Sequence, residues 1–143
     1  MTENMMQFQI LGIEHIAVAV DNSDKSADFF GSILNLNHIG NEEVVSQKVM
    51  TNIFDTGAGK VELLSATDPV SPVSKFIEKR GTGLHHIAFL VNDIHAAIQY
   101  LKLKDIQLID KEPRKGAEGN LVVFIHPHSC NGLLIELCQK ISD

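Results

Sequence analysis

The chain contains no tryptophan and one tyrosine, and aromatic residues make up only 6% of it. That is too few for the stacking platforms on which single-stranded nucleic acids are held. Cysteine is nearly as scarce: Cys130 and Cys138 are the only two. They form no Cys-x-x-Cys pair for zinc or redox chemistry and cannot build a disulfide framework, so both are read as reduced, buried thiols. Positive charge is in deficit as well, with a formal net charge of −6, whereas a nucleic-acid binder normally carries a basic face. No apolar run approaches the roughly 20 residues that span a bilayer. The opening Met1-Thr2-Glu3-Asn4-Met5-Met6 has neither the basic-then-apolar order of a secretory signal nor the arginines of a transit peptide. These absences point away from nucleic acid and membrane, and toward a cytoplasmic location.

What the chain does have is a globular balance, 44% hydrophobic and 21% charged over 143 residues, the usual size of one domain. It also resembles itself. Glu14-His15-Ile16-Ala17-Val18-Ala19-Val20-Asp21 aligns with His85-His86-Ile87-Ala88-Phe89-Leu90-Val91-Asn92, with His-Ile-Ala identical and an offset of 71 residues, about half the chain. Such a repeat implies two copies of one supersecondary unit.

Each copy continues in the same way. After the first alternating segment, Ala27, Phe30, Ile33 and Leu34 lie at helical spacing within Ser23 to Leu34; after the second, Ile94, Ala97, Ile98 and Leu101 do so within Ile94 to Lys104, behind Asp93 as N-cap. Strand-like runs follow. They are Gln47 to Asp55 and Lys60 to Leu64 around the turn Thr56-Gly57-Ala58-Gly59, then Leu121 to His126 and Leu133 to Cys138 around Asn131-Gly132. Between the copies, Ser71 followed by Pro72 opens a short linking helix, as a cap residue with proline at the first helical position does. The order is strand, helix, then two or three strands, twice. A helix on one face of each small sheet leaves the other face free, and two such faces can close into a ligand cleft.

Strand parity assigns residues to faces. Ile16, Val18 and Val20 suit the helix side of the first strand, leaving His15, Ala17 and Ala19 on the other. Ile87, Phe89 and Val91 suit the helix side of its counterpart, leaving His86, Ala88 and Leu90. The alanines leave floor space beside each histidine. Glu62 lies opposite Val61 and Leu63, and Glu136 opposite Leu133, Ile135 and Leu137. Each half therefore offers one histidine and one glutamate on its non-helical face. A lone strand histidine is more often structural than a ligand, and a lone glutamate more often a surface ion pair. Recurrence of the same couple with the same parity is what points to one divalent ion held by His15, Glu62, His86 and Glu136. Mixed nitrogen and oxygen donors suit Mn, Co, Ni or Fe, with zinc possible, and four donors leave two octahedral positions for substrate or water.

These residues resemble a known family. His15 in Glu-His-Ile-Ala-Val-Ala-Val, Glu62 in Val-Glu-Leu-Leu, His86 in Gly-Leu-His-His-Ile-Ala-Phe and Glu136 in Leu-Leu-Ile-Glu-Leu are similar to the four metal positions of the vicinal-oxygen-chelate (glyoxalase/bleomycin resistance/dioxygenase) superfamily. The resemblance is closer to its methylmalonyl-CoA epimerases. Three stretches carry it: Asp68 to Phe76, Arg80 to Phe89, and Leu108 to Pro113 with Gly116 and His126-Pro127. The resemblance implies an α+β glyoxalase-like fold: two tandem βαβββ modules forming a curved mixed sheet around a metal-binding cleft. The whole chain, 1–143, would be one domain, with module one about 11–66, a linker helix about 71–80 and module two about 84–139. It further implies an acyl-CoA substrate, cobalt or manganese as the favoured ion, a homodimer, and Glu136 as a base in epimerising 2R and 2S methylmalonyl-CoA through an enolate.

One position departs from the pattern. Some epimerases carry a second glutamate on the strand equivalent to Lys48–Phe54, and here that position is Thr51, which is no general base at ordinary pH. Gln47 and Asn52 are nearby amides, not bases. The coenzyme A phosphates need donors, and Lys75, Lys79, Arg80, Arg114, Lys115 and the loop Gly116 to Asn120 are available, none singled out by the sequence. His126-Pro127-His128 reads as structural or surface rather than a second metal site, His38 and His95 as surface residues, and Glu42-Glu43 as a solvated face. The competing readings are a lactoylglutathione lyase or other enzyme of the superfamily, and a non-catalytic small-molecule binding protein of the same fold, which need not keep all four ligands.

Overall fold

Apolar alternation sets the first strand, β1 (Ile10–Ala19). The structure is a computed structural model and describes residues 7–141. The chain divides into two compact units: His15–His85, and the described residues on either side of it.

In the His15–His85 unit, β1 from His15 onward is followed by α1 (Ser23–Asp28), β2 (Asn37–Val44), β3 (Val49–Asp55), β4 (Lys60–Ala66) and α2 (Pro72–Arg80). The strand order is β2-β3-β4-β1, with β1 parallel to β4 and β3 antiparallel to both its neighbours. α1 starts at Asn22, whose side chain accepts from Lys25 N at 3.0 Å. The single helix expected over Ser23–Leu34 is shorter than that. Phe29–Ile33 is a π-helical turn, closed by Leu34 N donating to Phe29 O at 2.9 Å. The extra residue in such a turn rotates everything after it off the stripe. Ala27 and Phe30 therefore reach Val20, Phe54 and Leu63, whereas Ile33 and Leu34 are exposed. Gly31 lies within the turn, where a Cβ would stand 3.2 Å from the Phe54 ring.

The outermost strand, β2, is polar and kinked by a register shift between His38 and Gly40, as edge strands often are. Its composition hides it from periodicity. α2 begins as Ser71-Pro72 requires: the Ser71 Oγ accepts from Val73 N at 3.2 Å and donates to Gln47 O at 3.1 Å. Its Val73, Phe76 and Ile77 pack on Ala17, Ala19, Val49 and Leu64. This changes one expectation. Ala17 and Ala19 are not open floor; their small side chains let α2 lie close to the strands. Ile16, expected under α1, is 36% exposed.

The other unit takes β5 (Gly83–Val91) from His86 onward, α3 (Ile94–Leu103), β6 (Arg114–Lys115), β7 (Leu121–Ile125) and β8 (Ile135–Gln139), in the order β5-β8-β7-β6. β5 is parallel to β8, and β7 is antiparallel to β6 and β8. The Asp93 side chain caps α3 by accepting from Ala96 N at 3.0 Å. Ile94, Ala97 and Ile98 then pack on Val91, Val123, Ile125 and Leu137, joined by Phe8. Leu133, expected on the last strand, falls outside β8 and is exposed. The chain before it passes through Asn131 (φ 56°) and Gly132 (φ 90°), left-handed conformations that no strand can continue. His126 takes the structural one of the two roles expected for it: its Nδ1 accepts from His128 N at 3.0 Å, opening the short turn Pro127–Ser129.

Candidate metal centre and active site

Parallel pairing of β1 with β4 sets Ala17 beside Glu62. His15, two residues earlier on β1, is then diagonal to Glu62 on the same face, and its Nδ1 lies 3.3 Å from Glu62 Oε2. Parallel pairing of β5 with β8 repeats the arrangement. Ala88 sits beside Glu136, His86 is two residues earlier, and its Nε2 lies 2.9 Å from Glu136 Oε1. Histidine, alanine and glutamate occupy equivalent register positions in both units. The sequence repeat is thus a repeat of geometry.

All four groups are buried: His15 is 4% exposed, Glu62 3%, His86 7% and Glu136 5%. Both alanines beside the glutamates are fully enclosed, so each carboxylate has a floor with no room for a larger neighbour. Antiparallel partners supply the next strand of the same face. Ile53 pairs with Glu62, and Phe124 with Glu136. The Phe124 ring meets the His86 imidazole edge-on, with centroids 5.2 Å apart. Thr51 is fully buried and pairs with Leu64, two residues along β4 from Glu62, so it shares the Glu62 face.

The donor chemistry fits a divalent cation. Two ligand atoms about 2.1 Å from a shared ion and at right angles to each other stand about 3 Å apart, the spacing of both couples. His15, Glu62, His86 and Glu136 are all among the residues whose donor atoms could hold a metal ion. Buried carboxylates of this kind are costly to ionise without a cation close by.

Two further features stand out, one that the sequence reading did not weigh and one that it left unassigned among the available cationic donors. Glu14 is buried (6% exposed). A glutamate inside an apolar alternating segment was a signal in itself, and the assignment of faces, which began at His15, did not take it up. The second is Arg114, whose guanidinium carbon lies 5.7 Å from the centroid of the Phe124 ring. It belongs to a two-residue strand with no periodicity to detect.

Comparison with known proteins identifies the family. A profile of the Glyoxalase/Bleomycin resistance protein/Dioxygenase superfamily matches residues 14–124. A mitochondrial methylmalonyl-CoA epimerase of Dictyostelium discoideum is 35% identical over 129 residues, 90% of this chain and 78% of that one. The chain belongs to the methylmalonyl-CoA epimerases of this superfamily. It is an epimerase with the glyoxalase-like α+β fold. A solved methylmalonyl-CoA epimerase in complex with methylmalonyl-CoA and NH4+ superimposes with a TM-score of 0.88 at 30% identity, covering 94% of this chain and 97% of that one. The uncharacterized protein YqjC of Bacillus subtilis is 41% identical over 92% of this chain and 94% of its own length. The chain thus covers 78% of the Dictyostelium epimerase and 97% of the solved one.

Proposed function

We propose that this epimerase interconverts the 2R and 2S forms of methylmalonyl-CoA by α-proton abstraction, with one divalent ion held by His15, Glu62, His86 and Glu136. The observation that carries the reading is the matched pair of buried His–Glu couples, 3.3 Å and 2.9 Å apart, at equivalent register in both units of a chain of the methylmalonyl-CoA epimerase family. The ion, cobalt or manganese in preference to nickel, iron or zinc, would supply Lewis-acid stabilisation of charge developing on the substrate's oxygens. Glu136 takes the α-proton at a carboxylate oxygen, leaving the acyl group as its enolate. The fully buried Ala88 and the half-buried Phe124, both in register with Glu136, limit water around it and keep that oxygen oriented. General-base help of this kind contributes a factor of about 10²–10⁴. Thr51 stands on the Glu62 face but is no base, so a group other than Thr51 returns the proton on the opposite side.

The same reading makes the chain a single vicinal-oxygen-chelate domain, homodimeric and cytoplasmic, with an acyl-CoA as its small-molecule partner. Among the described residues no helix is long and apolar enough to cross a membrane.

The test is solvent exchange. Protein purified without added metal is analysed for bound ions, then given single-epimer methylmalonyl-CoA in D2O. Wild type should incorporate deuterium at the α-carbon as it epimerises, and Glu136→Gln should lose this by at least 10²-fold. Unchanged exchange in the variant removes Glu136 from the role. Turnover of a glutathione hemithioacetal in place of methylmalonyl-CoA would replace the substrate assignment.

A further inference from the structure

The proposed function leaves open which side chain grips the charged parts of the acyl-CoA, and one residue is built for it. Arg114 pairs directly with Val122 on β7, and Phe124 pairs with Glu136 on β8. Arg114, Val122, Phe124 and Glu136 therefore share one face of this unit. Arg114 is the outermost charge on that face, separated from His86 by the single ring of Phe124.

Its guanidinium is held in place from two sides. The Phe124 ring lies beneath it, a cation–π arrangement that fixes the plane of the group. Asp110 Oδ2 lies 3.6 Å from its Nε. Asp110 is itself positioned by its neighbour, because Ile109 N donates to Phe124 O at 2.9 Å. The close approach of the β6 end to β7 is tight: a Cβ on Gly116 would stand 2.9 Å from Val122 Cγ1. Among the described residues the terminal amino groups of Arg114 donate to no protein acceptor, and the side chain is 35% exposed. Nε makes no hydrogen bond of its own; a guanidinium seated over a ring with a carboxylate 3.6 Å away, its fork unengaged, is placed for two parallel hydrogen bonds to an oxyanion. Lys115, next along, is exposed and alternates to the other face, and it has no such support.

We propose that Arg114 binds an oxyanion of the acyl-CoA substrate through its terminal amino groups, with Phe124 and Asp110 holding it in position. The substrate class rests on the proposed function. Its oxyanion is either the acyl carboxylate or a coenzyme A phosphate, the same chemistry from two ends of one molecule.

Equilibrium binding of dimethylmalonyl-CoA, which has no α-proton and cannot turn over, tests this apart from catalysis. Arg114→Met keeps an apolar stem on Phe124 and removes the charge. It should weaken binding about 10- to 100-fold, with Arg114→Lys falling between because it keeps a point charge without the fork. Repeating the measurement with dimethylmalonyl-pantetheine, which lacks the phosphates of coenzyme A, separates the sources. A penalty that persists assigns the carboxylate, and one that vanishes assigns a phosphate. Binding within twofold of wild type for Arg114→Met overturns the proposal, as does a loss of melting temperature with affinity unchanged. Wild-type protein that binds the analogue but does not epimerise methylmalonyl-CoA would sink the proposed function and leave Arg114 standing. Wild type that binds neither ligand would sink both.

Discussion

At the scale of single residues, the smallest side chains of the site have the most exacting role. Ala17 and Ala88 lie beside Glu62 and Glu136 in register, and both are wholly enclosed. Any carbon added there must displace the carboxylate or the strand. Ala88→Val adds two, and overpacking of this kind costs about 1–3 kcal/mol. Because the displaced group is a proposed ligand, the variant should also bind Co2+ or Mn2+ about 10- to 100-fold more weakly, the range seen when groups that orient metal ligands are altered. Calorimetric titration of metal into apoprotein reads this directly. A variant that is destabilised yet binds metal normally would make Ala88 a packing residue only. Strand alternation, read along the chain, had already paired His15 with Glu62 and His86 with Glu136. It could not show that alanine rather than histidine sits directly opposite each glutamate, since register belongs to the hydrogen-bonded pair and not to either strand.

At the scale of elements, local chemistry and tertiary packing can be told apart by comparing the two helices that follow the repeated strands. α3 has a cap at Asp93 and an unbroken stripe, and it runs over Ile94–Leu103 much as its spacing requires. Removing the cap with Asp93→Ala should cost about 1 kcal/mol, measured as a lowered urea midpoint with an unchanged slope. α1 has an equally good cap at Asn22 and an equally good stripe, yet it widens into a π turn at Phe29–Ile33. The reason lies outside the helix. Gly31 abuts the Phe54 ring, and the Phe30 and Phe54 rings pack at a tilt of 40° with centroids 6.3 Å apart. The helix therefore yields to a ring on β3 that its own residues do not encode. β2 and β6 escaped detection for a related reason. One is polar and bulged, the other only two residues long, and both form by pairing with a neighbour already in place.

At the scale of the whole molecule, two units with separate cores each contribute a His–Glu couple. An ion that engages the folded couples and not the unfolded chain adds stability by mass action, about 2.7 kcal/mol when present at 100 times its dissociation constant. For a chain of this length 1 kcal/mol is worth roughly 2–4 °C, so stripping the ion with EDTA should lower the melting temperature by about 5–10 °C, and added Co2+ should restore it. A melting curve indifferent to chelator and metal would count against a shared ion. The acidic balance of the chain, −6 overall, makes the local placement of Arg114 on the Glu136 face more telling, since positive charge there runs against the composition.

The sequence by itself determined that there are two copies of one unit, which residues are paired by parity, and where the capped helices α2 and α3 begin. These are properties of spacing and of short-range hydrogen bonding, and spacing survives in one dimension. Tertiary structure alone decided the register that sets Ala17 and Ala88 beside the glutamates, the π turn in α1, the covering of Ala17 and Ala19 by α2, and the approach of Arg114 to Phe124. Each of these depends on contact between segments distant in the chain, where close packing and strand pairing, rather than local preference, set the lowest free energy.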